Sequence, residues 1–200
     1  MDDPAPPQIK EGRRAILDAA ARLFRDGGYA STSLRDIADA AGMKAGSVYY
    51  HFASKDEIVA EVIELGVRAV AAEVDAELAK AAVLPTARLR AAMRGHLRSI
   101  LELHAYTSAN IRIYSELPDT LRRRADAVRT SYDDVWRGLI ADCAAAGELR
   151  AGVDTSALRL LLIGAMNGAL EWYRPGGRLS VDAVADTFAD LILKGAGTAA

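Results

Sequence analysis

Apolar side chains recur along this chain every three to four residues, and nowhere in strict alternation. Ile16, Ala19, Ala20, Leu23 and Phe24 share one face, which predicts a helix from about Ile9 to Asp26 that ends at Gly27-Gly28. A short helix opens after Ser33 with Ile37 and Ala38 inward, and another covers Ala45 to Tyr50 with Val48 inward. Ile58, Val62, Leu65, Ala69 and Ala72 predict a long fourth helix from Ser54 to about Lys80. Breaks at Leu84-Pro85, Leu117-Pro118-Asp119 and Gly147 separate further helices at 86–104, 105–115 and 119–146. Asp154 or Thr155 caps an eighth helix reaching Tyr173. The abrupt turn 174–177 follows, and Ser180 starts a ninth helix ending near Lys194-Gly195. The expected class is all-α with about nine helices, after a disordered, Pro-rich lead at 1–8.

The densest local chemistry lies between Ser31 and Ile58. Ser33 with Asp36, and Ser54 with Glu57, are capping-box patterns that mark two helix starts. Gly42 falls where a tight turn needs a positive φ, which glycine adopts without steric cost. This is a helix-turn-helix outline, whose second helix enters a DNA major groove with its leading residues at base edges. Those residues are Lys44, Ala45, Gly46 and Ser47. Lys44 can donate to guanine O6 and N7, Gly46 lets the backbone approach, and Ser47 can donate or accept. Tyr49, Tyr50, His51 and Lys55 suit phosphate contacts, which fix register without reading sequence.

From Arg13 to about Leu65 the chain resembles the DNA-binding domain of TetR-family transcriptional repressors. The matching residues include Ala19, Ala20, Leu23, Phe24, Gly28, Tyr29, Thr32, Ser33, Ile37, Ala38, Ala41, Gly42, Gly46, Tyr49, His51, Phe52 and Lys55. The resemblance implies a DNA-reading head at 9–55, a helical ligand-binding and dimerisation domain at 56–200, and a homodimer on double-stranded operator DNA. Thr32, Ser33 and Arg35 join the expected DNA-contacting set. Lys44-Ala45 departs from the usual pattern, which leaves the operator sequence open. Two-fold symmetry would set the recognition helices about 34–36 Å apart, or a multiple of that.

Charge adds little. The 200 residues carry a net charge of −2, but residues 9–55 hold eight basic and five acidic residues, a local excess of three. The single cysteine, Cys143, reads as a small core residue. No leader or membrane span is visible, so a cytoplasmic protein is expected. His51, His96 and His104 have no metal-ligand spacing, and no phosphate loop or nucleophile elbow is present. Neither an enzyme nor a bound cofactor or metal is expected.

The downstream helices supply candidate ligand contacts: Tyr106, Asn110, Tyr114, Tyr132, Trp136, Asn167, Trp172 and Arg174. Asn167 interrupts the otherwise apolar segment 158–173, and a buried amide needs a partner. Gly164 and Gly168 on the same segment allow close helix packing between subunits. Residues 171–180, EWYRPGGRLS, resemble the matching segment of TetR-type repressors that respond to acyl-CoA thioesters. That resemblance implies an acyl chain among the helices and phosphates near Arg112, Arg122, Arg123, Arg124 or Arg129. A different apolar ligand, as in regulators of drug efflux, remains open, as does an acyl-CoA-binding enzyme.

Overall fold

The computed structural model describes residues 11–103 and 105–196. Among them are nine α-helices: α1 Glu11–Gly27, α2 Leu34–Ala40, α3 Ala45–His51, α4 Lys55–Leu78, α5 Pro85–Arg98, α6 Ala105–Ile113, α7 Asp119–Ala145, α8 Thr155–Trp172 and α9 Val181–Ala196. The disordered lead expected at 1–8 and the helix start at Ile9 lie outside the described residues. So does the expected end of helix five at His104. That helix stops its α-geometry earlier than its pattern predicts, and Ser99–Leu103 form a π-helical turn. Helix six likewise ends in a 3₁₀ turn, Tyr114–Glu116.

The local signals act as read. Ser33 Oγ accepts from the Asp36 N–H, and the Asp36 carboxylate accepts from the Ser33 N–H at 2.8 Å. Ser54 caps α4, but Glu57 reaches back to the Ala53 N–H at 2.8 Å instead of to Ser54. Gly42 turns the chain at φ 68°. Asp154 caps α8 by accepting from the Ser156 and Ala157 N–H groups.

Two apolar cores share α4. One gathers Ile16, Ala20 and Phe24 of α1, Ile37 and Ala38 of α2, Val48 of α3 and Ile58, Val62 and Ile63 of α4. It also includes Ala109 and Ile113 of α6 and Leu121 and Ala125 of α7. The N-terminal head therefore has no core of its own; the body completes it. The second core lies among α5, α7, α8 and α9, with Trp136, Met93, Leu162 and Met166 at its centre and Cys143 buried at its edge. Burial of such side chains is the main favourable term, at about 1.5–3 kcal/mol each.

Candidate nucleic-acid interface and ligand cavity

On α3 only Val48 points inward, fully buried between α1, α2 and α4. Lys44, Ala45, Gly46 and Ser47 are exposed, and Tyr49 and Tyr50 are 60% and 79% exposed. Two large aromatics left in water on a seven-residue helix are costly to leave uncovered, and they mark a contact surface. Arg35 on α2 and Ser33 at its cap are exposed as well.

Besides Ser33, whose hydroxyl donates to the Asp36 carboxylate at 2.7 Å, three residues of the expected DNA-contacting set are engaged within the head. Thr32 is buried, and its hydroxyl donates to the Gly28 carbonyl at 2.8 Å. Lys55 donates to the Tyr29 and Thr32 carbonyls, both at 2.9 Å, and lies over the Tyr29 ring. Its ammonium is spent on closing the turn between α1 and α2, so it shapes the head from within. His51 is half-buried, and its carbonyl accepts from Arg13 at 2.6 Å while its ring packs edge-on to Tyr50. Arg13 also pairs with Glu61 and stacks on Phe52, which ties α1, α3 and α4 together.

A cavity of about 550 Å³ opens among α4, α5, α6, α7 and α8. Its buried wall carries Val67 and Val70, which are apolar, and His96, Thr107 and Asn110, which bring polar atoms into the space. His96 is fully enclosed between Tyr132, whose hydroxyl is 2.7 Å from Nδ1, and Asn167, whose Oδ1 is 3.0 Å from Nε2. An amide oxygen can only accept, so Nε2 carries the proton and Nδ1 accepts from Tyr132. Burial holds the imidazole neutral, with its pKa pushed down from 6.5 to about 4. At the rim, Arg129 donates to Asn110 Oδ1 at 2.6 Å and stacks on Tyr114, while Arg159 pairs with Asp133.

Four of the eight expected ligand contacts, Asn110, Tyr114, Tyr132 and Asn167, line this cavity. The other four do not. Trp136 is wholly buried behind His96 and Tyr132 and packs edge-on against both rings. Tyr106 turns away, towards Asp18 and Arg14 of α1. Trp172 is exposed at the end of α8, and Arg174 folds back onto the Glu171 and Tyr173 carbonyls. Of the arginines expected near phosphates, only Arg129 lines the cavity. Arg112 pairs with Glu171, Arg122 with Asp119 and Arg124 with Glu64, and Arg123 is exposed.

One face of α8 is open to solvent. Leu161, Gly164, Gly168 and Trp172 follow one another at helical spacing, and a Cβ on either glycine would meet nothing within 4 Å. Exposed glycines inside a helix cost about 1 kcal/mol each relative to alanine. Close approach by another helix offsets that cost.

Residues 16–62 match the family model described as bacterial regulatory proteins, tetR family. Residues 82–196, more than half the chain, match the tetracyclin repressor-like C-terminal domain. The chain belongs to the TetR family. It is therefore a DNA-binding transcriptional regulator, with a helix-turn-helix head and a helical C-terminal domain. Among its relatives, the HTH-type transcriptional repressor KstR2 of Rhodococcus jostii is 30% identical over 194 residues, covering 93% of this chain and 92% of the relative. The structure of the ketosteroid transcriptional regulator KstR2 of Mycobacterium tuberculosis superposes with a TM-score of 0.80 at 25% identity, covering 96% of this chain and 98% of that one. AibR, in complex with isovaleryl coenzyme A and operator DNA, superposes with a TM-score of 0.81 at 27% identity, covering 90% and 97%. The named relatives are regulators of transcription, which points to a regulator and away from an enzyme. No helix among the described residues is long and apolar enough to cross a membrane.

Sequence reasoning missed His96 and Arg159 of this TetR-family cavity. His96 had a legible signal, because it falls on the apolar stripe of α5 with Leu89, Ala92, Met93 and Leu97. A polar residue at such a position is enclosed and must find partners.

Proposed function

We propose that the protein is a homodimeric repressor that holds operator DNA with two copies of α3 and releases it when a coenzyme A thioester fills the cavity. The chain divides at residue 55: 9–55 reads DNA, and 56–200 binds the ligand and dimerises through α8 and α9. Lys44 and Ser47 contact base edges, Ala45 and Gly46 let the helix come close, and Arg35, Ser33, Tyr49 and Tyr50 hold phosphates. The protein works in the cytoplasm.

One observation carries this reading: α6 faces both ways. Thr107, Asn110 and Ile111 line the cavity, while Tyr106, Ala109 and Ile113 of the same helix pack on the head. A ligand that displaces α6 moves the head, because the two share one core. α4 is the second arm, since it runs without a break from the head into the cavity wall at Val67 and Val70. Release needs only a coupling of about 1–3 kcal/mol, which changes affinity 5–150-fold.

The acyl-CoA class rests on the likeness to AibR and on the makeup of the cavity, where apolar Val67, Val70 and Ile163 stand beside Arg129, Arg137 and Arg159. The test is to select duplexes from a random library with the purified protein. The best one is then titrated by fluorescence anisotropy, with and without isovaleryl-CoA and CoA thioesters of larger ring-bearing acids. The expected result is a palindromic duplex released by at least one thioester. Release by apolar drugs and by no thioester would favour the efflux-regulator reading, and failure to select any duplex would contradict the repressor assignment.

A further inference from the structure

A second, smaller cavity of about 350 Å³ adjoins the first between α6 and α8, and the two share Ile111 and Asn167 as a common wall. Arg112 of α6 and Glu171 of α8 also line it, and their side chains meet at 2.6 Å. The remaining acid in its wall is Glu116, on the 3₁₀ turn that ends α6.

Glu116 does something no other residue of this wall does: it reaches the head. Its Oε2 accepts from the Ala30 N–H at 3.0 Å. Its carboxylate lies against Gly28, where a Cβ would stand 2.5 Å from Oε1. A Cβ there would push the carboxylate aside, and the φ of 86° at this position favours glycine on its own account. The turn 28–32 leads straight into Ser33, the cap of α2, and through α2 to α3. One residue thus lines a cavity and, through its carboxylate, holds the base of the DNA-reading unit. Lys55 braces the same turn from the side of α4.

We propose that Glu116 is the positioning residue through which a ligand loosens the head. An anionic or carbonyl-bearing group entering the smaller cavity competes for Arg112 and frees Glu171. It crowds Glu116 with negative charge and breaks the bond to Ala30. The turn then loses its hold on the body, and α2 and α3 no longer keep the angle that fits the groove. This smaller cavity is where the polar part of the ligand acts, beside the larger one that holds the rest, and the proposal rests on the ligand-released repressor reading above.

The test is a thermodynamic cycle on full-length protein with the selected duplex and the thioester that releases it, starting from isovaleryl-CoA. Glu116→Ala is expected to weaken DNA binding about 3- to 10-fold without ligand, as for loss of one exposed charge-assisted hydrogen bond. With saturating ligand, the variant and the wild type should bind DNA equally, because the ligand has already broken that bond. Glu116→Gln keeps an acceptor oxygen and should restore most of the ligand-free affinity. Equal weakening with and without ligand would mean a merely structural role and would overturn the proposal, as would no weakening at all. A second measurement is independent of any ligand: amide exchange at Ala30 should quicken in Glu116→Ala while exchange at Ile37 stays as it was. Unchanged exchange at Ala30 overturns the proposal by itself. Failure of every thioester to release the wild type would sink the acyl-CoA reading instead. In that case the exchange at Ala30, together with the ligand-free DNA affinity, decides the role of Glu116.

Discussion

The hydroxyl of Tyr106 on α6 donates to the carboxylate of Asp18 on α1, joining the ligand-binding body to the DNA-reading head. The neighbouring Arg14 lies over the same ring at 5.9 Å. Tyr106 is one of five aromatics that sequence reasoning assigned to the ligand. It instead holds the outer side of the helix whose inner side meets the cavity.

Tyr106→Phe keeps the ring and removes only that bond. The expected loss is about 1.5–3 kcal/mol of stability, the range for a hydrogen bond to a charged group. Urea unfolding checks it. No direct ligand contact is lost, because the hydroxyl does not face the cavity.

The exposed edge of α3 gives a second expectation. Lys44→Ala should cost about 1–3 kcal/mol on the best duplex and relax preference at one base pair in each half-site. Tyr49→Phe should weaken every duplex alike, because a phosphate contact carries no sequence information. Competition binding against single-base variants of the duplex separates the two.

Much of this arrangement was legible in the chain because its causes are local. Ser33 with Asp36 and Gly42 in its turn state their roles within a few residues, and the apolar phase of α3 puts Val48 inside. The ligand cavity was not legible to the same degree. Whether a residue of α6 or α7 faces it depends on which neighbour that helix packs against. Tyr106 and Thr107 are adjacent, yet one meets α1 and the other the cavity. Trp136 fits an aromatic ligand wall by type, but it falls one layer behind Tyr132. Thr32 and Lys55 match a family pattern, and that pattern does not say whether a residue touches DNA or braces the turn beside it. The π-helical turn at Ser99–Leu103 has no signal in spacing or capping.

His96 makes stability depend on pH. Its folded pKa of about 4 lies below its ordinary 6.5, because burial penalises the charged ring. The unfolded chain therefore takes up the proton first. The stability this group contributes is full above about pH 6.5 and is lost as pH falls towards 4, by about 3 kcal/mol in all. Denaturant unfolding at several pH values should show that slope in the wild type. His96→Phe should lack it, whatever its absolute stability.

The open face of α8 should be where two copies meet. Leu161, 69% exposed, lies one turn before Gly164 on that face. Leu161→Glu places a charge on that face, where burial without a partner is costly. Light scattering should report a dimer for the wild type and a monomer for the variant, with helical content unchanged by circular dichroism.

The most direct test of the central claim, that two copies of α3 occupy successive major grooves, is a methylation-interference footprint on the selected duplex. Guanine N7 methylation should block binding in two patches related by two-fold symmetry, about one helical turn or a multiple of that apart. Lys44→Ala should erase the dependence on one guanine in each patch. Interference confined to a single patch, or none in the major groove, would contradict the account.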